Sequence, residues 1–165
     1  MIFVTVGTEY PFDRLIRYID LMYENDVFSD GLFAQIGYGG AYQPKHLPWV
    51  EMLSRDEYDI RLAKCKAIIS HAGMGTIIRC REIGKPLLVM PRMASLNEAV
   101  NNHQIITARR FAERGDILVA YDESQLKMRV RELLSFSPQK RFSEAGRIVG
   151  RIKVFLDQLE KRKHP

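Results

Sequence analysis

A glycine turn at the end of an apolar run marks the part of this chain where chemistry is expected. Residues 67–76 read Ala-Ile-Ile-Ser-His-Ala-Gly-Met-Gly-Thr, an apolar segment followed by Gly73 and Gly75 and then by a helical pattern. Glycine lets the backbone approach an anion closely, and the free N–H groups of Met74, Gly75 and Thr76 would point at it from the positive end of a helix. Such a turn suits a diphosphate, although taken singly it also fits a tight strand-to-helix connection.

Polar side chains near this turn are further candidates for ligand contacts. His71 ends the apolar run, where an imidazole can bind phosphate or cap the turn. A second apolar run, residues 87–90, is closed by a proline and followed further on by Asn102, His103 and Gln104. Because ligands bind at the carboxyl ends of parallel strands, we expect both groups at one site. The alternative for His103 and Gln104 is the solvated first turn of a helix.

Continuous apolar runs alternate with helical patterns along the chain, which is typical of strands buried on both faces of a parallel sheet. We predict strands at residues 2–6, 32–36, 67–70, 87–90 and 117–120, and a sixth, more weakly patterned, at 49–53. The predicted fold class is therefore α/β, a Rossmann-like parallel sheet of five or six strands flanked by helices.

Helices are predicted in the segments between these strands. Apolar residues at three-and-four spacing indicate one helix between the first two strands, and others follow at about residues 58–65, 75–83 and 100–114. Asp122 with Gln125 resembles a capping box that opens a fifth. A long C-terminal helix, at about residues 142–161, carries a wide apolar stripe that either packs on its own domain or docks on a partner.

Composition limits the classes of protein that fit. The 165 residues, 46% of them hydrophobic and 27% charged, suit a single soluble domain spanning residues 1–165. Cys65 and Cys80 lack metal-site spacing, and the absence of a leader pattern favours a cytoplasmic setting. The net charge of +5 comes from scattered basic residues, so nucleic-acid binding is not expected.

The order of the motifs resembles a known family. His-Ala-Gly-x-Gly-Thr at 71–76, Gly-Lys-Pro at 84–86, a strand closed by proline and Asn-His-Gln at 102–104 are similar to the C-terminal domain of glycosyltransferase family 28. Residues 3–8 and 11–16 also resemble the small catalytic subunits of two-component enzymes. These are bacterial capsule and exopolysaccharide transferases, and the cytosolic subunit of the eukaryotic dolichol-linked GlcNAc transferase. The resemblance covers nearly the whole chain.

This resemblance implies half of a GT-B fold that binds a UDP-sugar. The implied reaction is inverting transfer of a hexose or N-acetylhexosamine to a polyprenyl-diphosphate-linked acceptor in polysaccharide biosynthesis. A membrane-anchored partner subunit would bind the acceptor and recruit this chain to the cytoplasmic face of the membrane. The UDP-sugar is a co-substrate and no cofactor is expected. No metal is expected either, since the chain has no Asp-x-Asp triplet.

The resemblance also implies roles for individual residues. The uracil edge is placed, by position only, near Leu53 and Ser54. The residues implied to hold the UDP-sugar are the turn at Gly73, Met74, Gly75 and Thr76 for the diphosphate, Gly7 and Thr8 closing over it, and Asn102, His103 and Gln104 on phosphate or sugar hydroxyls.

The chain departs from the family at the position that binds ribose. Several members have a glutamate there, whereas this chain has Arg79. Glu82 lies one turn further on, and Glu98, just before the Asn-His-Gln motif, is the preferred substitute. The catalytic base is expected on the partner, with Glu9 as a weak candidate.

Two other functions remain open at this level. A non-catalytic stabilising subunit would tolerate Arg79 in place of the glutamate. A nicotinamide-dependent oxidoreductase would share the predicted sheet, but the turn after the first strand, at Gly7, lacks the Gly-x-Gly-x-x-Gly pattern.

Overall fold

The computed structural model describes residues 1–28 and 30–139 of the chain. The predicted C-terminal helix at 142–161 lies outside these residues. The described part contains six strands and five α-helices: β1 (Ile2–Thr5), α1 (Asp13–Glu24), β2 (Leu32–Gln35), β3 (Trp49–Val50), α2 (Arg55–Lys64), β4 (Ala67–His71), α3 (Met74–Ile83), β5 (Leu87–Met90), α4 (His103–Glu113), β6 (Leu118–Val119) and α5 (Glu123–Leu133).

The strands form one parallel sheet in the order β3-β2-β1-β4-β5-β6. From β1 the chain adds β2 and β3 on one side of this strand. It then adds β4, β5 and β6 on the other side. This reversal is the point where α/β sheets leave a crevice at the carboxyl ends of their strands. Thr5 of β1 lies opposite Ser70 of β4, so the turns after these two strands are neighbours. The predicted α/β class is confirmed.

Alternate residues of each strand face two separate cores. Ile2 and Val4 point to the face covered by α1 and α5, whereas Phe3 points to the face covered by α2, α3 and α4. Both faces are apolar, which explains why the strands are continuous hydrophobic runs. Complete burial of a side chain such as Phe3 contributes roughly 1.5–3 kcal/mol, so the sheet is held rigidly from both sides.

Two helices start where the sequence analysis did not place them. α2 begins earlier, because the Ser54 side chain accepts from the N–H of Glu57 and the Glu57 carboxylate accepts from the N–H of Ser54, a capping box. α4 begins later, at His103, because a short 3-10 helix at Ala94–Leu96 and left-handed Asn97 occupy the preceding loop. The predicted cap at Asp122 is confirmed, since its carboxylate accepts from the N–H of Gln125.

Within residues 1–28 and 30–139, every helix is too short or too polar to cross a lipid bilayer.

Candidate functional site

A cleft of about 980 Å³ opens at the carboxyl edge of the sheet, between the turns that follow β1 and β4. The loop before α4 forms another wall. Twelve of the residues singled out as ligand contacts or as a candidate base line this cleft: Gly7, Thr8, Glu9, Leu53, His71, Gly73, Met74, Gly75, Thr76, Glu98, His103 and Gln104. Asn102 is not among the lining residues. Its Oδ1 instead accepts from the N–H of Ala94 at 3.0 Å, which closes the loop.

The N-terminus of α3 faces this cleft without a capping side chain. Gly73 is the N-cap residue, and the first turn contains no acidic residue. By contrast, α2 and α5 are capped by Ser54 and Asp122. The first N–H groups of a helix have no partner within the helix and carry its positive dipole end. The start of α3 is therefore suited to bind an anion.

The His71 ring lies between the two glycine turns. A Cβ atom on Gly7 would lie 2.8 Å from Cε1 of His71, and one on Gly73 would lie 2.2 Å from Nε2. Gly7 also has a φ of +80°, which disfavours any other residue. The chain needs glycine at both positions because the imidazole fills the space where a side chain would begin.

Hydrogen bonding fixes the tautomer of this imidazole. The Ser70 hydroxyl donates to the carbonyl oxygen of Thr5 at 2.6 Å, so its oxygen is left to accept from Nδ1 of His71 at 3.3 Å. Nε2 then carries a lone pair between the two turns. Burial and, second, the positive charge of Arg92 lower the pKa of His71 to about 4. At neutral pH the ring is uncharged, and its Nε2 accepts rather than donates a hydrogen bond.

Gln35 connects the turn after β1 to the segment after β3. Its Nε2 donates to the carbonyl oxygen of Gly7 at 3.2 Å, and its Oε1 accepts from the N–H of Leu53 at 3.2 Å. Gln35 is buried and lines the cleft, yet the sequence analysis did not select it. The available signal was a polar residue at the end of an otherwise apolar strand.

The carboxylate of Glu98 is already engaged within the protein. Arg14 donates through Nε to Oε1 at 2.5 Å and through Nη2 to Oε2 at 2.8 Å, while the N–H of Met93 donates to Oε2 at 2.9 Å. This bidentate pair ties α1 to the loop after β5. The expected ribose contact at Glu98 would therefore compete with three internal hydrogen bonds.

The two polar residues that begin α4 are used differently. Gln104 is buried, and its Oε1 accepts from the N–H of Arg92 at 3.1 Å, which holds the residue after Pro91. His103 is exposed at the cleft, with Nδ1 2.5 Å from Oδ1 of Asn101. Of the two, His103 is the one whose side chain is exposed at the cleft.

Arg79 lies on the cleft wall formed by α2 and α3. Its guanidinium is 3.7 Å from the Asp59 carboxylate and 3.5 Å from that of Glu82. Asp59 also lines the cleft, whereas Glu82 does not. The carboxylate that reaches this wall is thus contributed by α2. The predicted candidates, Glu82 and Glu98, lie instead on α3 and in the loop before α4.

Comparison with known proteins adds to this geometry. Residues 1–154 match the glycosyltransferase family 28 C-terminal domain. The chain belongs to this family. The resemblance seen in the motifs is thereby confirmed.

The human UDP-N-acetylglucosamine transferase subunit ALG13 is 32% identical to this chain over 127 residues. The match covers 70% of this chain and 10% of the human protein, so the chain spans about a tenth of that relative's length.

Solved structures share the fold. The NMR structure of ALG13 superposes with a TM-score of 0.60 at 20% identity, covering 86% of this chain and 89% of that one. MurG of Acinetobacter baumannii gives 0.56 at 18% identity, covering 81% and 40%. CalG4, the calicheamicin glycosyltransferase, gives 0.56 at 16% identity, covering 81% and 33%. The predicted half of a GT-B fold agrees with these neighbours.

Alanine substitution should separate the two glycines at the start of α3. Gly73→Ala should destabilise the protein by about 1–3 kcal/mol, because the new methyl group overlaps the ring of His71, which is held in place by its neighbours. Gly75→Ala should change stability by no more than about 0.5 kcal/mol, because its Cβ meets nothing within 4 Å. Urea unfolding of both variants measures this difference, and equal losses would contradict the described position of His71.

The neutral, partly buried imidazole of His71 also predicts a pH dependence. The pKa of His71 is about 4 in the folded protein and 6.5 in the absence of burial, so between these values the unfolded chain binds more protons. Stability is therefore lost as the pH falls from 6.5 towards 4. This group alone should cost about 2 kcal/mol between pH 7.5 and pH 5. Between pH 7.5 and pH 5, the free energy of unfolding of His71→Gln should fall by about 2 kcal/mol less than that of the wild type. Urea unfolding at the two pH values measures this difference. An identical pH dependence would show that His71 is not held neutral.

Proposed function

We propose that this chain is the donor-binding catalytic subunit of a two-component inverting glycosyltransferase. It transfers a hexose or N-acetylhexosamine from a UDP-sugar to a polyprenyl-diphosphate-linked acceptor in polysaccharide biosynthesis. The observation that carries the proposal is the uncapped start of α3, which faces the Gly7 turn across the cleft at the reversal point of the sheet.

The diphosphate of the donor would lie on the N–H groups of Met74, Gly75 and Thr76. All three residues line the cleft, and Gly75 leaves the approach to the backbone open, since a Cβ there would meet nothing within 4 Å. Sugar transfer leaves extra negative charge on the departing UDP, and fixed N–H dipoles stabilise such charge because they are already oriented. Gly7 and Thr8 would close the site from the other strand. The proposal needs no cofactor.

The nucleoside would lie against the wall formed by α2 and the segment before it. Leu53 and Tyr58 line this wall and offer apolar surface to a base. Asp59 presents a carboxylate there, and carboxylates bind the hydroxyls of ribose in nucleotide sites. We assign the ribose contact to Asp59 rather than Glu98, since the oxygens of Glu98 already accept from Arg14 and Met93.

The acceptor and the catalytic base are assigned to a membrane-anchored partner, which would bring the chain to the cytoplasmic face of the membrane. The human relative supports a divided enzyme, since it is by name a transferase subunit. Glu9 lines the cleft and is the alternative base within the chain.

A side chain placed at Gly75 should block the donor site without unfolding the protein. Its Cβ would enter open space, so Gly75→Leu should fold normally and weaken UDP binding by about tenfold or more. Ile78→Phe is the matched control, because Ile78 is exposed on the same helix outside the cleft. Isothermal titration of UDP into both variants gives the result. NADH binding with no response to UDP would instead favour an oxidoreductase.

Reconstitution should show whether the enzyme is divided. The purified chain should transfer little sugar to a polyprenyl-diphosphate-linked acceptor, and activity should appear when the membrane-anchored partner is added. Radiolabelled transfer from the UDP-sugar measures this. High activity without a partner would contradict the division of the enzyme between two subunits. Full activity of the Gly75→Leu variant mixed with the partner would favour a non-catalytic stabilising role for this chain.

A further inference from the structure

Arg92 follows the carboxyl end of β5 and is a buried cation at the cleft. Only 4% of its surface is exposed, yet it is one of the residues that line the cleft, together with Val6, Gly7 and His71. Its charge is one of the two causes that lower the pKa of His71. Arg92 therefore borders the same part of the cleft as the His71 ring and the Gly7 turn.

The hydrogen bonds of the Arg92 guanidinium go to neutral backbone carbonyl groups. Nη2 donates to the carbonyl oxygens of Val6 at 3.0 Å and Pro11 at 3.4 Å, and also to that of Tyr10. These bonds hold the turn after β1 from both of its ends. Nε is fully buried and has no hydrogen-bond partner.

No carboxylate among the described residues lies within salt-bridge distance of this guanidinium. Arg14 provides the contrast, because it reaches the same loop after β5 from α1 but is paired bidentately with Glu98. A buried charge without a counter-charge is unfavourable, and burial accordingly lowers the pKa of Arg92 despite the distant Glu98 and Glu9. The unpaired charge adds positive potential to that of the uncapped α3.

This inference rests on the function proposed above. We propose that Arg92 is a diphosphate-binding residue, the cation that completes the site begun by the N-terminus of α3. During transfer the bond between the anomeric carbon and the diphosphate oxygen breaks, and its electron pair stays on that oxygen. The acceptor hydroxyl forms the new bond and releases its proton to the base. Arg92 stabilises the negative charge that the diphosphate gains, without moving during the step.

A role limited to holding the turn after β1 is the alternative, and ligands of different charge separate the two. Arg92→Met removes the charge and Arg92→Lys keeps it. The ligands are UDP, inorganic pyrophosphate and uridine, measured by isothermal titration and ligand-observed NMR. We expect Arg92→Met to weaken UDP and pyrophosphate binding by about tenfold or more, to leave uridine binding unchanged, and to be largely rescued by lysine.

Arg14→Met is the matched control, since it removes a paired guanidinium outside the cleft. It should lower stability without a selective loss of diphosphate affinity. Equal UDP affinity in the wild type and Arg92→Met, or a parallel loss of UDP and uridine binding, would overturn the proposal for Arg92 alone. A wild-type protein that binds no UDP would overturn the proposed function instead.

A measurement on the unaltered protein covers the case in which Arg92→Met does not fold. The Nε–H resonance of Arg92, assigned through Arg92→Lys, should shift when pyrophosphate saturates the wild type. Saturation that leaves this resonance unchanged while the amides of Met74, Gly75 and Thr76 respond would place the anion away from Arg92 and refute the inference.

Discussion

The contact of the His71 ring with the backbones of Gly7 and Gly73 is the constraint on which the site depends. β1 and β4 pair in parallel, so their turns leave the sheet at the same edge. Side chains on both turns would force them apart, whereas two glycines and one flat ring allow them to close together. Ser70 donates a hydrogen bond to Thr5 and accepts one from His71. These two hydrogen bonds fix the ring, and so fix the width of the cleft floor.

This packing determines the electrostatics as well. The partly buried imidazole beside Arg92 stays neutral, so the positive potential at the cleft floor comes from groups that keep their charge at physiological pH. These are the helix dipole of α3 and the guanidinium of Arg92. Arg14, a partly buried arginine of the same region, is neutralised by Glu98. The loop after β5 thus carries both Glu98, which forms an ion pair with Arg14, and Arg92, which forms no ion pair with any described residue.

The parts that the sequence predicted well are those with local causes. Continuous apolar runs revealed the parallel strands, and the glycine turn revealed the connection from β4 to α3. The roles of Glu98 and Asn102 were not predictable in this way, because their partners are chosen by tertiary packing. Arg14 lies 84 residues from Glu98 in sequence. Arg92 and Gln35 were missed for the same reason, since each acts through a turn that is distant along the chain.

The sheet order alone does not distinguish nucleotide-sugar binding from dinucleotide binding, because both use a reversal point of this type. What differs is the strand that supplies the phosphate cradle. A dinucleotide-binding chain places its glycine-rich turn and helix after the first strand, but here that turn has a single glycine and α1 begins only at Asp13. The helix that begins at a glycine and has no acidic residue in its first turn instead follows β4, across the reversal point, whereas α1 begins with Asp13. A diphosphate held there would lie between the start of α3 and the Gly7 turn after β1, which closes the site in the proposed function.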